Sequence, residues 1–385
     1  MTATLNEPVA LPATAPVEIV GRVESDPAPS AAAHLTDAQV EALAAELDAL
    51  RAEVVASLGE ADARYIHRVI NTQRALEVGG RAALIFSLFP PAWLLGTASL
   101  AAAKILDNME IGHNVLHGQW DWMRDKKIHS TTWEWDHPAP AAFWKKSHNY
   151  EHHTYTNVRG KDRDLGYAVM RIVPEQEWKP VHLLQPLTNL GLSLIFEYGV
   201  AIYDIELEKV QQGTKPWSKA KSELTTLWRK VRKQMAKDYI LFPLLSGPGF
   251  LATVAANATA NVIRNVWSHA VIFCGHFPDG TETFDEERLD GETKGQWYVR
   301  QMLGSANLSG GKLFHIMTGN LSHQIEHHLF PDLPSNRYAE IAPRVREICR
   351  RYDLPYTTGP LPRQYGKVLR TIFRLSFPGG GPRPA

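Results

Sequence analysis

The sequence predicts an all-α integral membrane fold in which four transmembrane helices form two hairpins beneath a cytosolic helical cap. Three observations lead there. Ala82–Ala103 and Tyr239–Ile263 carry no charged residue, and each is long enough to cross the ~30 Å hydrocarbon layer at about 1.5 Å per residue. Turn signals interrupt both, Pro90-Pro91 in the first and Ser246-Gly247-Pro248-Gly249 in the second, so each region reads as two helices joined by a turn. The third is a set of histidine clusters lying outside these apolar stretches.

Taken in order, residues 1–35 are rich in Ala and Pro and lack the basic, apolar, small-residue order of a secretory signal, which predicts a disordered leader. Residues 36–59 predict an amphipathic helix. Thr36 and Gln39 have the spacing of a capping box, and Val40, Leu43, Leu47, Leu50 and Val54 follow at helical intervals. Residues 60–360 hold the membrane domain, with the first hairpin over 63–112 and the second over 238–277. A further apolar stretch at 181–204 lies between basic segments; short basic loops stay on the cytoplasmic side, so this stretch predicts an interfacial helix rather than a crossing. The tail, 361–385, is rich in Pro, Gly and Arg and predicts surface coil.

Composition narrows the function classes. In the 385 residues, 41 basic side chains balance 41 acidic ones, so charge gives no case for a nucleic-acid partner. The two cysteines, Cys274 and Cys349, stand far apart, which argues against a disulfide scaffold or a thiolate metal site.

Eight of the 16 histidines fall in three patterns, His113-x-x-x-His117, His148-x-x-x-His152-His153 and His323-x-x-x-His327-His328. Residues four apart on a helix share a face, so each pair at that spacing can converge on one ion. Adjacent residues diverge by about 100°, which assigns His152 and His153, and likewise His327 and His328, to different ions. Two metals between facing helices follow. Imidazole accepts several transition metals, so ligand type alone does not choose one. Carboxylates that could orient the rings include Asp107, Glu110, Glu134, Asp136, Glu151, Asp164 and Glu326, with Glu151, Glu326 and Asp164 closest to the paired histidines in sequence.

HNVLHGQ, HNYEHHTYTN and HQIEHHLFPDLP resemble the three histidine boxes of the membrane fatty acid desaturases, and the resemblance covers about residues 60–360. Within that family, the chain is most similar to the actinobacterial stearoyl-CoA desaturases. The resemblance implies two iron ions at the cytosolic face of a bacterial cell membrane, with O2 as co-substrate and an acyl-CoA substrate, desaturated at the Δ9 position. Two departures leave ligands open. Relatives with an H-x-x-H-H third box would place the first ligand at Gln324, whereas spacing here favours His323. The family's further histidine is either His276 or His269, with His276 preferred.

Lys145, Lys146, Arg159, Lys161 and Arg163 are candidates for the CoA head group, or simply topology signals. The chain shows no cytochrome b5 His-Pro-Gly-Gly motif, no CxxC pair and no glycine-rich dinucleotide fingerprint. Electrons from NAD(P)H must therefore arrive through a separate reductase or iron-sulfur carrier. A membrane hydroxylase on the same scaffold, an acyl-lipid or front-end desaturase, and a histidine-rich metal transporter are the competing readings.

Overall fold

A computed structural model describes residues 30–379 of the chain. Helix α1, Asp37–Ala56, opens on the expected capping box: the Thr36 hydroxyl accepts from the Gln39 N–H at 3.3 Å, and the Gln39 side chain accepts from the Thr36 N–H at 2.9 Å. Its apolar stripe, including Leu43, Leu47 and Leu50, is buried in one core with Tyr298, Leu329 and Val345. Of the leader expected over 1–35, residues 1–29 lie outside the described part. The rest is held in place, since Ser30 Oγ and Ala31 N both donate to Glu282 at 2.8 Å.

Helices α2, Glu60–Leu84, and α3, Pro90–Ile105, form the first hairpin. Their crossing is close because glycines meet there: a Cβ on Gly96 would lie 2.7 Å from Leu84 Cγ and 3.0 Å from the Gly80 carbonyl oxygen. Small residues let helix backbones approach where no hydrophobic drive is at work. From α3 the chain winds on through a π-helix, Leu106–His113, and a final turn, Asn114–Leu116. A second irregular helix combines Ala141–Trp144 (α4), the π-helix Lys145–His152 and the turn His153–Tyr155.

Helices α5, Gln185–Leu194, and α6, Phe196–Tyr203, cover the stretch expected to lie in an interface, and Val181, Leu184, Leu187 and Leu190 are exposed there. Next comes the long basic helix α7, Trp217–Ala236, which runs through a π-helix, Lys237–Leu241, into α8, Phe242–Leu245. After the Gly247–Gly249 turn, α9 spans Phe250–His276 and packs against α3, with Ala256 and Ala260 in a core with Leu84, Leu100 and Ala101.

Among the described residues no helix is long and apolar enough to cross a membrane. The expected four crossings meet this limit for identifiable reasons. Helix α3 is only 16 residues before its π-helical continuation, and α9 carries Asn257, Asn261, Arg264 and Asn265 inside its 27 residues. Those polar groups face inward. Asp238, fully buried, accepts from Arg81 at 2.6 Å and Lys104 at 2.7 Å, and Arg81 also donates to Asn257 at 2.9 Å. Arg264 pairs with Glu197, both about 1% exposed.

The cap follows: α10, Lys294–Leu303; a two-stranded parallel sheet of Asn307–Ser309 (β1) with Thr358–Pro360 (β2); α11, Gln324–Leu329; and α12, Tyr338–Arg351. The tail corrects the coil expectation. Leu361–Leu375 is a helix, α13, whose Val368 and Ile372 join the core under α9, flanked by Leu361 and Tyr365. These positions follow helical spacing, which the Pro, Gly and Arg content of the tail obscures.

Replacing Asp238 by Ala leaves Lys104 buried without a counter-charge and Arg81 with only Glu77, at 3.6 Å, a loss of about 3–5 kcal/mol for such a broken cluster. The expected outcome is a clearly lower midpoint of unfolding for detergent-purified Asp238→Ala; an unchanged midpoint would contradict the buried cluster.

Candidate metal centre

The three histidine patterns come together where the end of α3, the irregular helix after Ala141, the end of α9 and α11 meet. Ligand atoms of His113, His117, His148 and His327 lie within 4.8 Å of one another, and those of His152, His276 and His328 form a second such group. His153 sits between them, with ring centroids 4.6 Å from His117, 4.8 Å from His327 and 4.4 Å from His328. His327 and His328 therefore face different groups, as neighbours on a helix must. His148 and His152, one turn apart, also divide between the two groups, although their rings stack at 5.1 Å.

The rings are fixed from behind. Nδ1 of His152 lies 3.0 Å from Asp162, Nδ1 of His328 2.9 Å from Gln301 Oε1, Nδ1 of His327 3.3 Å from the Tyr338 hydroxyl, and Nδ1 of His276 3.2 Å from the Gly304 carbonyl. This leaves Nε2 of each facing inward. Nε2 of His117, His148 and His328, and both ring nitrogens of His153, are buried with no hydrogen-bond partner, while Nε2 of His113 and His327 face each other at 3.3 Å. Unpaired buried nitrogens are costly; bound cations would satisfy them, so the residues fit a pair of transition-metal ions.

Electrostatics agree for every imidazole of the two groups except His152. Burial, followed by the repulsion of neighbouring imidazoles, pushes His113, His117, His153, His327 and His328 well below the ordinary histidine range, keeping them neutral as ligation requires. Burial also lowers His148, to about 4, against the pull of Asp164. His152 moves up, to about 9, because Asp162 and Asp164 together outweigh its burial.

Three expectations need correction or completion. His323 lies outside both groups: it precedes α11 with a non-helical backbone (φ −104°, ψ 54°), so four-residue helical spacing to His327 does not apply, and its ring stacks on His315 at 4.5 Å. Gln324, the first residue of α11, points its amide nitrogen to His276 Nε2 at 3.0 Å. Room for it exists because residue 275 is glycine; a Cβ there would lie 2.9 Å from Gln324 Cδ. His269 also lies apart, held at 3.1 Å by Asn189 and stacked on Phe273 at 3.9 Å.

Of the carboxylates, Asp164 approaches His148 at 3.8 Å and His152 at 3.7 Å, and it accepts from the Tyr203 hydroxyl at 2.8 Å. Glu326 instead fastens α11 to β1 through Asn307, at 2.8 Å, and to Tyr356, at 2.7 Å. Glu151 faces Lys146 at 3.4 Å. Glu110 accepts from Tyr65, Asn320 and Ser335 rather than from a ring. Asp107 accepts from the Asp136 N–H, and Glu134 and Asp136 pair with Lys230 and Lys237. Asp162, the carboxylate nearest a ring, was not singled out from the sequence. It lies ten residues after His152, in the loop that turns back over the box, and no sequence signal marks it.

The five cations near the second box have local partners: Lys145 reaches the Ser130 carbonyl at 2.9 Å, Lys146 pairs with Glu206 at 2.8 Å, Lys161 with Glu286 at 2.6 Å, Arg159 with Asp285 and Glu175, and Arg163 with Glu208. They do not converge on one cavity. A narrow cleft runs from His148, His152 and His276 between Tyr167, Phe196, Val200, Ile272 and Phe277. Trp144 closes one side, its ring centroid 5.1 Å from His113, 5.4 Å from His117 and 4.5 Å from His148.

Comparison with known proteins bears on this arrangement. Residues 88–360 match the model of the fatty acid desaturase family. The chain is 54% identical over 350 residues to the NADPH-dependent stearoyl-CoA 9-desaturase of Mycobacterium tuberculosis, covering 90% of this chain and 82% of that one. It is 25% identical to the sn-1 linoleoyl-lipid 6-desaturase of Synechocystis, over 70% of this chain and 76% of the relative. With the acyl-lipid (8-3)-desaturase of Mortierella alpina it shares 24% identity, over 76% and 70%.

Asp162→Asn keeps the shape of the residue behind His152 but removes its charge. Loss of such a carboxylate–imidazole contact is expected to weaken metal retention about 10–100-fold, read by metal analysis after dialysis against a chelator; wild-type retention would rule out this role. Gly275→Ala is expected to displace Gln324 and lower retention at the group containing His276, with the other group spared.

Proposed function

The chain belongs to the fatty acid desaturase family, and from that premise we propose that it introduces a double bond into a long-chain fatty acyl-CoA, converting stearoyl-CoA to oleoyl-CoA. The observation that carries the reading is the narrow cleft, walled on one side by Tyr167, Phe196, Val200, Ile272 and Phe277, that ends on two adjoining groups of inward-facing imidazoles. In balance, the acyl chain loses two hydrogens, O2 takes these with two electrons and two protons, and two waters leave. Two bound irons supply the power to oxidise an unactivated C–H bond, which no side chain has.

The protein's own residues position and enclose. His113, His117, His148 and His327 would hold one ion, and His152, His276 and His328 the other, with His153 between and Gln324 beside His276. Asp162, Asp164, Gln301 and Tyr338 fix the rings, so geometry is set before substrate arrives. Tyr167, Phe196, Val200, Ile272 and Phe277 would line the acyl chain and, with Trp144, keep water from the reacting carbons. Electrons from NADPH would come through a separate protein.

The chain would sit in the cell membrane with the imidazole groups at the cytosolic face. Supporting this, large apolar side chains crowd the exposed hairpin tips: Phe86, Leu88, Phe89, Leu94 and Leu95 at one, Leu244, Leu245 and Leu251 at the other. Helix α3 and the π-helix that continues it begin at Pro90 and deliver His113, and the residues between them are enough at about 1.5 Å per residue to reach across the hydrocarbon layer.

The expected result with purified protein, stearoyl-CoA, O2, NADPH and a reductase is oleate on hydrolysis; a hydroxylated chain would transfer the protein to the hydroxylases. Metal analysis should give about two irons per chain. Iron removal should abolish turnover and re-addition restore it, whereas full activity with zinc alone would overturn the reading.

A further inference from the structure

Two helices carry their polarity the wrong way round for water. On α5, Gln185, Asn189 and Ser193, one turn apart, are buried, while Leu187, Leu190 and Leu194 are exposed, Leu187 to 67%. On α13, steps of about 100° per residue divide the surface into three faces. Gln364, Val368, Ile372 and Leu375 are buried, Leu369 and Phe373 are exposed, and Arg363, Lys367, Arg370 and Arg374 make up the third. An amphipathic helix with Phe and Leu on one face and cations beside them has the form that lies in a membrane interface. From Leu361 to Ala385 the sequence contains no Asp or Glu.

The two helices are joined to each other and, through His269, to α9. Gln185 of α5 donates to the Ile372 carbonyl of α13. Asn189 Oδ1 lies 3.1 Å from His269 Nε2, and the Tyr365 hydroxyl of α13 lies 3.5 Å from His269 Nδ1. The histidine that stands outside both imidazole groups is therefore a clasp. Its level follows from α9, which begins at the far hairpin tip. From Phe250 to His269 the helix rises about 28 Å, and to Cys274, which shares a core with Val368 and Ile372, about 36 Å. These values bracket the near edge of a ~30 Å hydrocarbon layer. The cationic face turns farther out, toward the loop after α9: Lys367 donates to the Asp279 carbonyl at 3.3 Å, and Arg370 pairs with the Asp279 carboxylate at 3.1 Å. Arg363 and Arg374 have no ion pair among the described residues. In the loop before α5, Glu175 pairs with Arg159 and Glu177 with Lys179.

We propose that α5 and α13 together form a platform lying in the cytosolic leaflet, with Leu187, Leu190, Leu369 and Phe373 in its acyl layer and Arg363 and Arg374 on anionic headgroups. The inference rests on the membrane reading above and adds to the hairpins a lipid contact made by the C-terminal helix. Contiguous exposed apolar surface rimmed by polar residues marks a contact with membrane or protein; cations beside it, on a helix without acids, select an anionic leaflet. Val368 and Ile372 share a core with Tyr167 and Phe196, so the platform also backs one wall of the substrate cleft.

The test is fluorescence quenching of the full, iron-loaded chain in vesicles of phosphatidylcholine and phosphatidylglycerol, with a thiol-reactive fluorophore on Phe373→Cys, Val262→Cys or Arg350→Cys. Both native cysteines are buried. Val262 is exposed midway along α9, and Arg350 is exposed on the cap. Lipids spin-labelled near the headgroup are expected to quench the label at 373, lipids spin-labelled near the chain end the label at 262, and neither the label at 350. Quenching at 262 without quenching at 373 would overturn the platform alone. No quenching at 262 would overturn the membrane reading, and the platform with it. Disulfide linkage between Phe373→Cys chains without lipid quenching would give the surface to a second copy and overturn the proposal. At equal mole fraction, spin-labelled phosphatidylglycerol is expected to quench the label at 373 more than phosphatidylcholine does, by up to about fivefold per cation. Adding Arg363→Ala and Arg374→Ala is expected to equalise the two lipids with iron content and unfolding midpoint unchanged. Equal quenching by the two lipids with both arginines present would overturn the headgroup contact.

Discussion

The architecture depends on holding mutually repelling imidazoles in one dry volume. Nε2 of His113 and His327 have only each other, 3.3 Å apart, Nε2 of His117, His148 and His328 have no partner, and burial removes the water that would otherwise satisfy them. Until cations enter, the arrangement must be imposed from outside. That explains why the anchors come from distant parts of the chain: Asp162 from the loop after the second box, Gln301 from α10, the Gly304 carbonyl from the turn after it, and Tyr338 from α12. Each fixes a ring through the nitrogen that does not face the centre.

The anchors are in turn held by packing that has no metal role. Helix α1 shares a core with α10 and α12, so the amphipathic helix at the start of the described chain sets the positions from which Gln301 and Tyr338 reach the rings. Glu326 acts similarly on α11, tying its turn to β1 and Tyr356. Below, the buried Asp238 cluster fixes α2 and α3 relative to the start of the second hairpin. A buried ion cluster is a poor source of net stability but a strong constraint on register. Here register decides where the end of α3 delivers His113 and His117.

Much of this was legible in the sequence because it follows from short-range rules. The capping box at Thr36, the α1 stripe, the paired-proline turn and the division of His327 from His328 need only helical geometry. What escaped needed backbone departures or long-range contact. His323 has the right spacing to His327 but stands before the helix begins, so no face is shared. Asp162 acquires its role only when its loop folds back on the preceding turn, and nothing in its neighbours marks that. The polar residues inside α9 weakened the apolar pattern without revealing that they meet Asp238, Glu197 and Tyr239 across a helix interface.

The choice between Gln324 and His323 shows how packing can override donor strength. A neutral imidazole is the better ligand for a transition ion, and spacing favoured His323. Yet a side chain reaches the centre only if the element carrying it can approach, and the approach is made at Gly275, whose missing Cβ admits Gln324 against His276. His323, one residue earlier, is turned by the 3-10 turn Leu321–His323 toward His315. Because His323 stands before α11 begins, no rotation of that helix exchanges the two residues; the turn itself would have to be rebuilt, and the turn that delivers Gln324 to His276 is the one that keeps His323 away.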